Sequence, residues 1–176
     1  MKKYLIGAAV ILILLAGGTW FTAWANTPST PSTPIAAVEP TVQKPTPKPP
    51  TVDELLRLVN EERAKVGVTP LTVNSDVQRS AQLKAEDMYN NNYFSHIMPS
   101  TGKVLNQEMD NLLSANCVDS SENIVDNDKF SNTASGAVSA WKNSPPHYQA
   151  MIDGQYTQTG FGVAGDKIVQ HFCIAR

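Results

Sequence analysis

The chain has 176 residues and a formal net charge of −2 at pH 7, and this length accommodates one domain with appendages. Residues 51–176 carry ten Lys and Arg against fifteen Asp and Glu, a net charge of −5. Because the basic residues form no stripe, the sequence argues against nucleic acid as a partner.

The first 25 residues predict export from the cytoplasm. Lys2-Lys3 precedes an apolar run over residues 5–16, and Ala23-Trp24-Ala25 is a small-x-small cleavage signal. Residues 4–25 are also 22 uncharged residues in a row, long enough for an uncleaved transmembrane anchor with the lysines left in the cytoplasm. Signal peptide and anchor both deliver the rest of the chain to the same side. We therefore expect a secreted or extracytoplasmic protein, either free or anchored by its N-terminal segment.

Residues 26–50 predict a linker. They hold eight of the chain's twelve prolines, in runs such as TPSTPSTP and KPTPKPP. Such a segment lacks the apolar mass for a core and prefers an extended polyproline II conformation. We expect a passive spacer ahead of a domain that covers residues 51–176.

The first part of this domain predicts helices. Thr51 and Glu54 form a capping box, apolar residues follow at helical spacing, and Gly67 supplies the stop. Three further helices are predicted over residues 75–90, 104–113 and 132–143.

The C-terminal residues change to the period of strands. TGFGVA (159–164) and KIVQHFCIA (167–175) are rich in β-forming residues and joined by Gly165-Asp166, which predicts a hairpin. Helices followed by an antiparallel hairpin indicate an α+β fold with helices packed on a small sheet. Glycines 160, 162 and 165 match the dinucleotide-binding spacing G-x-G-x-x-G. No helix follows them, so we interpret them as points of strand twist or close backbone approach.

The stretch NSPPHYQ (143–149) places a histidine at the start of a short helix that reaches about residue 152. Ser144 is predicted to be the N-cap, with its hydroxyl accepting the amide of His147, and proline suits the first helical turn. The positive end of the helix dipole disfavours imidazolium, so His147 is expected to be neutral, the form that binds metals or acts as a base. A histidine that only caps or packs is the competing interpretation.

Two further residues are site candidates, and two cysteines are candidates for a bond. His96 lies in a predicted loop, FSHIMPSTG, and Glu122 lies in a predicted polar loop, SSENIVD. Each taken alone is equally typical of an ordinary surface residue. Cys117 and Cys173 are the two cysteines of the chain, which suggests one disulfide in an oxidising compartment, with two buried free thiols as the alternative.

Small matches to a known pattern recur in a fixed order along residues 51–176. They are Asn60-x-x-Arg63, Leu71, Ala81, Ala85, Ser95-His96, Glu122-Asn123, Trp141, Ser144-Pro145-x-His147, Gly160-x-Gly162 and Gln170-x-Phe172. Together they resemble the CAP superfamily of cysteine-rich secretory, antigen 5 and pathogenesis-related 1 proteins, also called the SCP domain, in its shorter bacterial form.

The resemblance implies a three-layer α-β-α sandwich with a small central antiparallel sheet and a wide cleft. The family's cleft carries two histidines and two acidic residues, which in some members hold a divalent metal, often zinc. His96 and His147 match the histidines and Glu122 matches the first acid, so these three are the implied metal ligands. The second acid, expected three residues after the tryptophan, falls on Ser144, which we place with Asn123 at the periphery of the site.

The resemblance leaves the function open among three interpretations. The first is an extracellular binding module, acting as a monomer on an unidentified protein, glycan or lipid, whose cleft holds zinc or another divalent metal. The second is a hydrolase of peptides or cell-wall glycans, with Glu122 and His147 as catalytic residues. The third is a lipid carrier. The missing second acid counts against the hydrolase, and His171, which matches no family role, is expected to be structural.

Overall fold

The computed structural model describes residues 48–176. The predicted signal peptide or anchor and most of the predicted linker lie outside these described residues. Within residues 48–176, no helix combines the length and apolarity that crossing a membrane requires.

The described part of the chain alternates five α-helices with four strands. The helices are α1 (Val52–Lys65), α2 (Ser75–Asn90), α3 (Gln107–Asn116), α4 (Ala134–Lys142) and α5 (Pro145–Ile152). The strands are β1 (Thr72–Val73), β2 (Cys117–Asp126), β3 (Gln158–Ala164) and β4 (Lys167–Ala175), and a 3-10 turn follows β2 at Asn127–Phe130.

The strands form one central sheet in the order β1-β3-β4-β2. The predicted hairpin is β3 and β4, and β4 also pairs antiparallel with β2, in a register that sets Glu122 opposite His171. The short edge strand β1 runs parallel to β3, so the sheet is mixed where we expected it to be antiparallel throughout.

Helices cover both faces of the sheet, which confirms the predicted α-β-α sandwich. Alternate residues of β4 serve the two sides: Ile168 and Phe172 join a core with α1, α4 and α5, built around the fully buried Trp141. Val169 and Cys173 face the other layer, where α2 and α3 pack.

Local signals fix the helix ends much as predicted. The hydroxyl of Thr51 accepts the amide of Glu54 at 3.3 Å, and the side chain of Asn74 accepts the first amides of α2. Gly67, just after α1, has φ +75°, a conformation that costs glycine little. The third helix begins later than predicted, at Gln107, because the side chain of Asn106 caps it.

Two glycines of β3 let the sheet approach α2 closely. A side chain at Gly160 would overlap the backbone of Gln78, and one at Gly162 would overlap the backbone of Ala81. This confirms the structural interpretation of the G-x-G-x-x-G spacing.

Two buried links tie distant segments together. Arg63 is fully buried and donates to the carbonyls of Thr69, Met151, Asp153 and Tyr156 at 2.7–2.9 Å, which joins α1 to the segment after α5. Cys117 and Cys173 form the predicted disulfide, with a Cα–Cα distance of 5.3 Å. Closing a loop of 56 residues stabilises the fold by about 4 kcal/mol in the chain-entropy model.

Two local predictions are wrong. Glu122 lies in strand β2, where a polar loop was expected, because pairing with β4 satisfies the backbone of this polar sequence. Ser144 precedes α5 as predicted, yet its side chain makes no capping hydrogen bond. Ser144 instead lines a pocket beside His147.

Candidate functional site

The exposed imidazole of His96 is held by a buried carboxylate. Nδ1 of His96 lies 2.7 Å from Oε1 of Glu122, and the two side chains are 46% and 7% exposed. The loop that carries His96 is fixed from beneath by Lys84, whose Nζ donates to the carbonyls of His96 and Val104 at 2.6 and 3.2 Å. His96 is therefore a solvent-facing ring on a rigid support.

Lys84 is a fully buried cation within α2. Burial lowers the pKa of its ammonium, and the nearby carboxylates of Glu122 and Asp87 oppose that shift. The positive charge beneath the loop in turn favours the ionised form of Glu122.

Glu122 is shared between two imidazoles. Its second oxygen, Oε2, lies 3.0 Å from Nε2 of His171, and Nδ1 of His171 lies 3.1 Å from Oγ of Ser80. Burial alone would raise the pKa of Glu122, but hydrogen bonds from His171 and His96 and the charge of Lys84 outweigh it and lower the pKa.

This ionisation state assigns the ring protons. An ionised carboxylate only accepts hydrogen bonds, so the nitrogen of each imidazole that faces Glu122 must carry a proton. A neutral His96 is therefore protonated at Nδ1, and its Nε2 keeps a free lone pair. A neutral His171 is protonated at Nε2 and accepts the hydroxyl proton of Ser80 at Nδ1.

Ser80, His171 and Glu122 have the connectivity of a serine-hydrolase triad without its accessibility. Ser80 is fully buried and His171 is 1% exposed. A nucleophile must reach its substrate, so this chain of hydrogen bonds holds Glu122 in place. His171 thus has the structural role that was predicted, in direct contact with the site.

His147, in the first turn of α5, is the second histidine of the site. Its ring centroid lies 6.4 Å from that of His96, with the two planes inclined by 52°. Asn123, the neighbour of Glu122 on β2, donates to the backbone carbonyl of His147 at 3.0 Å and so fixes the start of α5 against the sheet. Burial and then repulsion from His96 lower the pKa of His147, so its neutral form is favoured, as expected.

An apolar pocket of about 300 Å³ opens beside His147. Aromatic and aliphatic side chains form most of its wall, together with four polar or charged residues. It is lined by Phe94, Ile124, Val125, Asp126, Lys129, Phe130, Ala140, Trp141, Ser144 and His147.

The sequence pattern of the family described as "CAP: Cysteine-rich secretory protein family" matches residues 56–174. The chain belongs to the CAP family.

Relatives of this CAP domain are longer proteins. The chain is 31% identical over 109 residues to the uncharacterized protein YkwD of Bacillus subtilis (strain 168), a match that spans 62% of this chain and 40% of that protein. The chain therefore covers less than half the length of that relative.

Solved structures share the fold. An extracellular SCP-domain protein of Bacillus anthracis superposes with a TM-score of 0.62 at 24% identity, over 69% of this chain and 39% of that one. An outer surface protein of Borrelia burgdorferi superposes with a TM-score of 0.60 at 19% identity, over 70% of this chain and 92% of that one.

The donor set of the CAP cleft fits a metal incompletely. Within residues 48–176, no group of three or more His, Cys, Asp or Glu side chains is arranged to hold a metal ion. Both oxygens of Glu122 face imidazole nitrogens. The residues present would therefore offer two imidazoles, with Glu122 orienting His96 in the way that carboxylates orient metal-binding histidines.

The structure brings together the site residues that the resemblance implied. Glu122 contacts His96, Asn123 holds the backbone of His147, and Ser144 lines the adjoining pocket with His147. Three features of the site were not predicted from the sequence: Lys84, Ser80 and the contact of His171 with Glu122. A signal existed, because Ser80 and Lys84 lie three and seven residues after Val77, on the apolar stripe of α2.

Proposed function

We propose that this CAP domain is an extracytoplasmic binding module whose ligand contacts the face formed by His96 and His147. The predicted N-terminal export signal and the buried disulfide support an oxidising compartment outside the cytoplasm. The two similar structures are described as extracellular and as an outer surface protein, which supports the same location.

One observation carries the proposal: two imidazoles lie 6.4 Å apart, and one of them, that of His147, lines an apolar pocket. A concave apolar surface with a few fixed polar groups is the usual form of a ligand site. His96 is held by Glu122, so a ligand that hydrogen-bonds its Nε2 loses little free energy in ordering the ring.

Metal binding is part of the proposal. His96 and His147 would supply two nitrogen ligands to zinc or a similar divalent cation, with water or the ligand at the other positions. A metal held there would act as a Lewis acid that attracts an oxygen of the ligand. Catalytic zinc sites have three protein ligands, and the shortfall here favours binding over catalysis.

Acid–base hydrolysis is the second candidate. The Glu122–His96 pair favours it, because a carboxylate that holds the far nitrogen of an imidazole is the arrangement of a general base. Within residues 48–176 no Ser, Thr or Cys side chain hydrogen-bonds either His96 or His147, so water would have to serve as the nucleophile.

Binding and turnover can be separated with one pair of variants. The wild-type chain and the double variant His96→Ala/His147→Ala are applied to arrays of peptides, glycans and lipids, and both are incubated with labelled casein and labelled peptidoglycan. The proposal expects array binding that the double variant loses, with no cleavage by either protein. Cleavage by the wild type that disappears in the double variant would establish the hydrolase instead.

Zinc is tested separately by calorimetric titration. Heat of binding in the wild type that is lost in His147→Ala supports the two-imidazole site. The absence of any heat or melting shift in the wild type at neutral pH would remove the metal from the proposal and leave the ligand site standing.

A further inference from the structure

The pocket beside His147 differs from the family pattern at one wall. Ser144 stands where the family has its second acid, three residues after Trp141, and both residues line the pocket. A carboxylate at this position would place a charge against the apolar wall, at a large desolvation cost for any apolar occupant. Serine is short and neutral, so it places no charge against this wall.

The remaining wall suits an apolar group. Trp141 is fully buried at the pocket, whereas Phe94 and Phe130 are 46% and 41% exposed. Exposed aromatic rings at a pocket are typical of surfaces that another molecule covers.

The volume of the pocket suits one large side chain. About 300 Å³ corresponds to roughly ten water molecules at ~30 Å³ each. This volume lies at the lower end of the range of ligand pockets, about 300–1,000 Å³, and is large enough for one aromatic or branched side chain.

The polar groups that line the pocket can hydrogen-bond a peptide backbone. The imidazole of His147 and the hydroxyl of Ser144 can each hydrogen-bond a peptide group, and Lys129, with its side chain 72% exposed and its Nζ 3.7 Å from the carboxylate of Asp126, adds a donor. A peptide presents an N–H and a C=O on either side of every side chain, whereas a hydrocarbon chain presents neither. The net charge of −5 over residues 51–176 favours a neutral or basic peptide over an acidic one.

We propose that this pocket is a specificity subsite that receives one large apolar side chain of an extended peptide, with the peptide backbone lying across Ser144 and His147. This inference rests on the proposed binding function and adds the chemical class of the ligand.

The test compares matched neutral probes on the full chain. Acetylated and amidated tripeptides Gly-X-Gly, with X as Ala, Leu, Phe or Trp, are titrated while NMR shifts of the protein are followed. We expect the Phe and Trp peptides to bind at least tenfold more tightly than the Ala peptide, since filling an apolar pocket discriminates by about 10- to 200-fold per step in size.

Ser144→Glu introduces the acid that the family resemblance implies at this position. In this variant we expect the affinity for the Phe peptide to fall to within about twofold of the affinity for the Ala peptide. The change costs α5 little, because the hydroxyl of Ser144 makes no capping bond. Ser135→Glu, at an exposed position in the first turn of α4 and outside the pocket lining, is the matched control and should keep the wild-type preference.

Three outcomes overturn the inference. The first is that the four peptides bind with equal affinity or do not bind at all. The second is that Ser144→Glu keeps the wild-type preference for the Phe peptide. The third is that palmitate binds although the peptides do not, and that Ser144→Glu loses this palmitate binding. In each case array binding that depends on His96 and His147 would still support the proposed function, so the two failures are distinguishable.

Discussion

His171→Leu should destabilise the fold by removing the buried partner of Glu122. The imidazole donates to Oε2 of Glu122 at 3.0 Å and accepts from Ser80 at 3.1 Å. Leucine fills much of the same volume but offers no donor. The substitution therefore leaves a carboxylate whose side chain is 7% exposed without one of its two imidazoles.

The magnitude follows from the contacts that remain. Stranding a buried charge costs about 3–5 kcal/mol, and a hydrogen bond to a charged group contributes about 1.5–3 kcal/mol. Because Glu122 keeps His96 at 2.7 Å and Lys84 stays nearby, we expect a loss of about 3 kcal/mol. In a domain of this size that corresponds to a fall in Tm of roughly 10 °C.

Urea unfolding followed by far-UV circular dichroism at pH 7 measures this loss, and a double-mutant cycle assigns it. His171→Gln keeps an N–H near the position of Nε2 and should lose only about 1 kcal/mol. In a Glu122→Gln background there is no charge to strand, so His171→Leu should cost about 2 kcal/mol less than in the wild type. Equal costs in the two backgrounds, within about 0.5 kcal/mol, would refute the claim that His171 holds Glu122.

Three further predictions concern the framework of the site. Arg63→Lys should lower the free energy of unfolding in urea by about 3 kcal/mol, because one ammonium cannot satisfy four buried carbonyls. Arg57→Lys, at a side chain that is 59% exposed, is the control. Equal losses in the two variants would contradict the role of Arg63. Gly162→Ala should cost more than about 2 kcal/mol, since its Cβ would overlap the backbone of Ala81, whereas Gly154→Ala, with its nearest neighbour at 3.8 Å, should stay within about 0.5 kcal/mol. The hydrogen bond from Lys65 lowers the pKa of Glu62, against the effect of burial and with further help from Lys142. Its stability contribution is therefore present above the unfolded pKa of about 4.3 and lost as pH falls through the folded value. Glu62→Gln should thus lose about 0.5–1 kcal/mol at pH 7, and this loss should shrink as pH falls below the unfolded pKa of about 4.3. A loss that stays unchanged in acid would count against the ion pair.

The elements that the sequence predicted are those with local signals. The caps at Thr51 and Asn74 and the change to strand period after residue 158 depend on neighbouring residues. Strand β1 has two residues and no pattern of its own, and it forms because β3 offers it an edge. The polar first half of β2 looked like a loop for the same reason: its partner, β4, lies about fifty residues later.

The site was predicted in outline through its resemblance to a family. His96, Glu122 and His147 come from three separate segments, and no local spacing joins them. The contacts of Lys84 and His171 that hold these residues in place were not predicted. A lysine or histidine in an apolar stripe is satisfied only by tertiary contacts, and those contacts to Lys84 and His171 become evident only once α2, β2 and β4 are packed.

The account depends most on the claim that Glu122 fixes His96 with its Nε2 free beside His147. Long-range ¹H–¹⁵N NMR of the histidine rings at pH 8 reads each tautomer directly. The account predicts His96 protonated at Nδ1 and His171 protonated at Nε2. A His96 ring protonated chiefly at Nε2 would contradict it, because that ring could not donate to Glu122 and would present a donor to the cleft in place of a lone pair.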